Sequence, residues 1–343
     1  METFTALKKE FDVLLLGYYG FGNLGDELLC EASLRLLASC GVPKERVALL
    51  SAAPRESEER YGVRAFDRWS LREIGRACAA SRSLLLGGGG LFQDSTSARS
   101  CVYYYAVVRI ARLLGLKVWA EGQSVGPLRR GLSRALTRGA FGSCVHTGVR
   151  DESSREILGS MGIGAALAPD LVTSLPVPRA EGGGNFLLFN ARPGYRALAE
   201  KAAVGCMKLA KSSGLDVAGI ALSREDEAEL ASLASAGLVK LSGVTLVSSK
   251  EDFSRAARRA CGAVGMRLHF LILSALSGLP LAGCAYDPKV AGLCMRYNIA
   301  LTDGGKTTLS APPSAELAAE EAASVAEVFA EGLRAARCET NGR

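Results

Sequence analysis

Short runs of leucine, valine and phenylalanine recur along the chain, and between them lie longer stretches in which apolar residues return every three or four positions. Strand-length apolar runs alternating with helical patterns mark parallel sheets covered by helices. In the first half the pattern predicts strands at residues 11–17, 46–50, 83–86, 117–121 and 144–149, each followed by a glycine-rich or charged loop. The second half resumes the alternation, with strands at 186–190, 216–222, 263–266 and 280–285. Between the two series residues 175–185, LPVPRAEGGGN, combine two prolines with three glycines, the composition of a linker. The expectation is an α/β protein with Rossmann-like parallel-sheet domains at residues 1–177 and 185–340, joined by residues 178–184. After Pro312 and Pro313 the pattern turns helical, with Val325, Val328, Phe329 and Leu333 on one face, and this helix is expected to close the fold.

A length of 343 residues leaves room for two such domains. With 48% hydrophobic and 22% charged residues the chain is of ordinary globular composition, which excludes disordered, collagen-like and disulfide-stapled classes. Lysine and arginine number 41 against 35 acidic residues, a surplus of +6 without a long basic run. A nucleic-acid partner is therefore not expected, and anionic small molecules or an anionic membrane surface suit the excess better. Ten cysteines form no C-x-x-C pair and only two histidines are present, so no zinc spacing can be assembled and the thiols read as reduced core residues of a cytoplasmic protein. The segment METFTALKKEFDV has no apolar core of a secretory signal. The uncharged stretch from His269 to Tyr286 is broken by serines, Gly278 and Pro280, so any membrane contact is expected to be peripheral.

Ligands of open parallel sheets bind beyond the carboxyl ends of strands, which directs attention to the loops there. In GYYGFGNLGDE, Gly20, Gly22 and Gly25 satisfy G-x-G-x-x-G between a strand and a helix. A dinucleotide is disfavoured, because the second strand ends near Ser51 without an acidic residue for a ribose and Asp26 and Glu27 put negative charge where a pyrophosphate would dock. A tight turn, with Asp26 helping to cap the helix, is an equal reading of these glycines. In GGGGLFQDSTS the glycines, which include Gly88, Gly89 and Gly90, offer either free amides for a phosphate or sugar or close packing of two backbones. In VRDESS, Asp151 can cap the next helix while Arg150 is left to bind an anion. The second domain delivers Arg267 and His269 at the end of one strand and Lys289 after the next. If those strands are neighbours, two cations and a titratable imidazole converge. His146, on an apolar strand, reads as structural. Arg130, Arg134 and Arg138 share one helix face, with Leu128, Leu132 and Leu136 on another, which suits a surface helix or a contact with anionic lipid.

GYYGFGNLGDE, LLLGGGGLFQDSTS, GQSVGPL, VRDESS and MRLHFLILSALSGLPLAGCAYDPKV, in this order, resemble the polysaccharide pyruvyl transferases, most closely the bacterial branch that pyruvylates the cell-wall polymer anchoring S-layer proteins. The resemblance implies a GT-B-like fold of two Rossmann-like domains facing a cleft, the first on the acceptor side and the second on the phosphoenolpyruvate side. It implies transfer from phosphoenolpyruvate to two hydroxyls of a sugar, giving a cyclic ketal and phosphate. The implied acceptor is a saccharide on undecaprenyl diphosphate ending in N-acetylmannosamine, met at the inner face of the cell membrane. His269 would protonate the donor, and Arg150, Arg267 and Lys289 would hold its anionic groups. Asp26, Asp94 and Asp170 are the candidate bases. Gly20, Gly22, Asn23 and Gly25, with Gly88 to Gly90, would bind through their backbone. No metal or cofactor is implied. The rival readings are a glycosyltransferase with a nucleotide-sugar donor and a non-catalytic binding module.

Overall fold

The computed structural model describes residues 9–95, 97–305 and 307–338. The chain divides into two compact units, each carrying one parallel sheet. Of the described residues, one unit takes 9–21, Leu29–Ser174 and 321–338, and the other takes Gly22–Leu28 and the described part of Leu175–Glu320. The two α/β parallel-sheet domains expected from the apolar pattern are what the chain folds into.

In the first unit β1 (Phe11–Leu16) is an almost wholly buried apolar run, as a middle strand covered on both faces must be. It pairs with β2 (Val47–Ser51) on one side and β4 (Ser81–Phe92) on the other. With β3 (Arg64–Asp67), β5 (Lys117–Val125), β6 (Cys144–Val149) and β7 (Ala166–Leu167) the order is β3-β2-β1-β4-β5-β6-β7. Helices α1 (Leu24–Ser39), α2 (Pro54–Tyr61), α3 (Leu71–Ala80), α4 (Arg99–Leu113), α5 (Gly131–Phe141) and α6 (Glu152–Gly159) connect the strands. Strand β4 does not stop before the four glycines, as expected, but continues through them. Small residues are needed there for packing: a Cβ on Gly87 would stand 2.6 Å from the Tyr19 hydroxyl, and one on Gly88 2.8 Å from Leu29.

The second unit holds β8 (Phe186–Asn190), β9 (Asp216–Ala221), β10 (Val244–Leu246), β11 (Gly262–Gly265), β12 (Leu281–Gly283) and β13 (Ala300–Leu301), ordered β10-β9-β8-β11-β12-β13. Helices α7 (Arg196–Ser213), α8 (Arg224–Ser235), α9 (Lys250–Ala257), α10 (Leu268–Leu276) and α11 (Pro288–Arg296) complete it. Both sheets therefore reverse their strand order once, between β1 and β4 and between β8 and β11, and each reversal opens a crevice at the carboxyl ends. Residues 178–184 are not a free linker. Ala180 N–H donates to the Ser277 carbonyl at 2.8 Å and Glu181 N–H to that of Arg258 at 2.7 Å, which docks the segment on the second unit.

The last helix, α12 (Ala315–Arg337), also departs from expectation, because from Glu321 it belongs to the first unit. Its apolar stripe explains this: Val325, Phe329 and Leu333 are buried, and Phe329 meets Trp119 of β5 edge-on at 5.3 Å. Beneath Gly332 lies Glu121, only 2% exposed, with Oε1 3.0 Å from His146 Nε2. Burial pushes the Glu121 carboxyl up from 4.5 to about 7, partly opposed by His146, and the Glu121 carboxylate holds the His146 imidazole above its ordinary 6.5.

A carboxyl raised in the fold contributes stability that is complete below its unfolded value and is lost as pH climbs to the folded one. A raised histidine contributes below its unfolded value and loses the contribution as pH rises through the folded one. The two act in the same sense, so unfolding free energy is expected to fall as pH rises from about 4.5 past 7. Denaturant unfolding across that range should show Glu121→Gln removing most of the slope; an unchanged slope contradicts the assignment.

Candidate active site

At the second switch point β8 ends on Asn190, which is fully buried. Its Nδ2 donates to the Ile220 carbonyl at 2.9 Å and its Oδ1 accepts the Arg267 N–H at 3.0 Å, so one amide ties the ends of three strands together. Arg267 follows β11, and its Nε donates to both carboxylate oxygens of Asp226 at 3.0 and 3.1 Å, with Nη2 also on Asp226 and 3.5 Å from Ser223 Oγ. Asp226 has no solvent exposure and lies in the first turn of α8, where Ser223 caps the helix by accepting its N–H. A carboxylate so buried needs a cation. Arg267, expected to hold an anionic group of the donor, is thus engaged by Asp226, and its Nη1 stays outside these bonds.

His269 stands at the start of α10, two residues further on. Against its ring lies Gly25, where a Cβ would come within 2.1 Å of Nδ1. Gly25 is thus a glycine of close approach. The segment carrying it is fixed by Leu24 N–H donating to the Leu222 carbonyl at 3.1 Å. Asn23, rather than Asp26, caps α1: its side chain accepts the Gly25 N–H and its carbonyl the N–H groups of Asp26 and Glu27, each at 3.1 Å. Asp26 follows Gly25 and is half-buried.

Strand β12 pairs with β11 in parallel, so the loops after both open on one sheet edge. There Asp287 caps α11 by accepting the Lys289 N–H at 2.9 Å, and Lys289 is half-buried. Arg192, two residues past β8, reaches the same edge. Its Nη1 donates to the Tyr286 hydroxyl, and its guanidinium carbon stands 4.6 Å from the centre of the Tyr286 ring and 5.7 Å from that of Tyr195. Burial pushes the Tyr286 phenol up, and Arg192 pulls it partly back. Arg192 and Asp226 were not singled out from the sequence. The signal for Arg192 was its place in N-A-R-P-G-Y, just beyond a switch-point strand.

The first-unit candidates are largely occupied with structure. Arg150 pairs with Asp170, their side chains only 7% and 6% exposed, so neither is the unengaged anion site or base that was expected. Asp170 also accepts the Val172 N–H at 2.9 Å. Asp94, a candidate base, accepts the N–H groups of Arg129 and Arg130 with its two oxygens, both at 2.7 Å. Burial pushes its carboxyl up, but those N–H groups together with Ser133 and the charge of Arg130 outweigh it and leave it below the ordinary range. Asp151 caps α6 through the Ser154 N–H at 2.8 Å. Gly20 has φ +80° with Ser51 Oγ only 2.2 Å from where a Cβ would be, and Gly22 has φ +70° in open space. Gly88 and Gly89 also take positive φ, but with Gly90 they lie inside β4 instead of in a loop with unengaged amides. Arg130 donates to the Asp94 carbonyl at 2.9 Å, while Leu132, Arg134 and Arg138 of α5 are exposed. Among the described residues no helix is long and apolar enough to cross a membrane, and no three His, Cys, Asp or Glu side chains group as a metal site would require.

A sequence model described as polysaccharide pyruvyl transferase matches residues 23–288. No curated protein sequence matches the chain. Among solved structures, a UDP-GlcNAc 2-epimerase from Methanocaldococcus jannaschii aligns over 96% of this chain and 93% of its own, with 10% identity and a TM-score of 0.57. The UDP-GlcNAc 2-epimerase of Neisseria meningitidis covers 95% and 94% at 11% identity and 0.50, and MurG of Acinetobacter baumannii 95% and 94% at 12% and 0.46. At such identity the likeness concerns the fold alone, which is the GT-B-like type.

Gly25→Ala is expected to displace the His269 imidazole and cost about 1–3 kcal/mol through overpacking. With two histidines in the chain, NMR of the ring protons can follow His269 directly; unchanged resonances together with unchanged stability contradict the contact.

Proposed function

The chain belongs to the polysaccharide pyruvyl transferase family, and on that premise we propose that it forms a pyruvate ketal on a sugar, taking the three-carbon unit from phosphoenolpyruvate and releasing phosphate. The observation that carries this reading is the second switch point, where Arg192 and Arg267 stand on the loops after β8 and β11 and His269 stands in the first turn of the helix that follows β11. Phosphoenolpyruvate bears a carboxylate and a phosphate on one carbon, so its site needs cations for two anions and a proton donor for its methylene. Arg192, Lys289 and Arg267 through Nη1 supply the cations, and His269 is the proton donor. Protonating the methylene makes a methyl group and leaves C2 electron-poor. One sugar hydroxyl adds to C2 and gives up its proton, phosphate departs with a proton, and the second hydroxyl closes the ketal. The two hydroxyl protons thus balance the one gained by carbon and the one taken by phosphate. Asp26, next in the chain to the glycine that packs on His269, is the candidate base. The steps as written require no cofactor.

The acceptor is proposed to be the N-acetylmannosamine end of an undecaprenyl-diphosphate-linked saccharide, a precursor of the cell-wall polymer that anchors S-layer proteins. The ordered motifs of the S-layer-associated branch support this choice. Such an acceptor would be bound on the first unit, with donor on the second, at the cytoplasmic face of the membrane. Exposed Leu132, Arg134 and Arg138 on α5 offer a surface for anionic lipid. A nucleotide-sugar donor is less well supported, because Asp226 is held by Arg267 and is not available to a ribose.

Purified protein given phosphoenolpyruvate and a synthetic saccharide ending in N-acetylmannosamine should release phosphate in step with a product of ketal mass. His269→Ala should lower kcat roughly a hundred- to ten-thousand-fold while phosphoenolpyruvate still binds. Failure to bind phosphoenolpyruvate, or full turnover in the variant, overturns the proposal.

A further inference from the structure

The carboxyl edge of the first sheet carries a feature that the donor chemistry does not use. Arg68, just past β3, is 2% exposed. Its Nη1 donates to the Gly17 carbonyl at 2.7 Å and Nη2 to the Tyr104 hydroxyl at 3.2 Å, while Nε is buried without a partner. Around the guanidinium stand five aromatic rings, with centres at 4.6 Å for Tyr103, 5.0 Å for Phe21, 5.3 Å for Trp69, 5.6 Å for Tyr104 and 5.9 Å for Tyr18. A buried cation is costly, and cation–π contacts offset that cost only in part. What the arrangement achieves is rigidity in the rings.

Tyr18 stacks on Phe21 at 3.9 Å and 7°, Phe21 meets Trp69 edge-on at 6.3 Å, and Trp69 leans on Tyr103 at 5.7 Å. Asp67 Oδ1 accepts the Trp69 N–H at 2.8 Å and pins its backbone. Yet Trp69 is 63% exposed, Tyr18 41% and Phe21 38%. Rings fixed from beneath and open to solvent, at the edge of a sheet where ligands bind, mark a binding surface.

We infer that this row is a platform on which a pyranose ring of the acceptor saccharide stacks, an inference that rests on the ketal-forming reading. Aromatic faces are electron-rich and receive the C–H groups lining one face of a sugar ring. Rings already held at set angles lose little freedom on binding a rigid ring, whereas a flexible acyl chain gains nothing from such order. The substrate class of the family, a polysaccharide, fits the same surface.

Tryptophan fluorescence gives a direct test, because the chain has two tryptophans and Trp119 is fully buried. A lipid-free saccharide ending in N-acetylmannosamine should change the Trp69 emission saturably, and Trp69→Phe should abolish the signal. Trp69→Ala should raise the acceptor KM about tenfold with the phosphoenolpyruvate KM unchanged, and Trp69→Tyr should restore most of the loss. An unchanged acceptor KM in Trp69→Ala overturns the platform, as does a fluorescence change that requires the lipid chain. If the unaltered enzyme makes no ketal, it is the reaction that falls, and the lipid-free titration still decides the platform.

Discussion

A carboxylate without solvent exposure, Asp226, faces the guanidinium of Arg267, and the other groups of the second switch point take their places from that pair. Removing either partner would leave an uncompensated buried charge, at a cost of about 3–5 kcal/mol. The pair holds the end of β11 against the first turn of α8, and Asn190 joins β8 and β9 to the same point. Because Arg267 is immobilised, α10 begins where it does, and His269 is delivered to the ring-sized space left by Gly25. The His269 imidazole is thus positioned by charge on one side and by the absence of a side chain on the other.

The two sheets share one strand plan, but their carboxyl edges are put to different uses. In the first, Asp94 and the Arg150–Asp170 pair secure backbone turns and strand ends, and exposed aromatic rings form the surface. In the second, cationic side chains and an imidazole form it. Segment Gly22–Leu28, although it opens a helix of the first unit, clusters with the second and carries Gly25 to His269.

Central strands were legible in the sequence because burial on both faces demands a nearly continuous apolar run, interrupted in β1 only by Asp12 and ended in β8 by Asn190. The four strands missed, β3, β7, β10 and β13, are the outer strands of the two sheets, each only two to four residues long and partly exposed. Local chemistry was also legible: Asp151 caps the helix that follows it because its partner is three residues away. Long-range pairing was not. Nothing near Arg150 announces Asp170, nothing near Arg267 announces Asp226, and Arg68 acquires its rings from the segments after β1 and β3 and from α4 only once the sheet is assembled.

The proposed reaction turns on a proton passing to the methylene carbon of phosphoenolpyruvate at the second switch point. Running the reaction in deuterium oxide and measuring the ketal methyl group by mass and NMR tests this most directly. One solvent-derived deuterium in that methyl group is the predicted result. A ketal whose methyl group carries none, or a product that keeps the methylene of the donor, would contradict it.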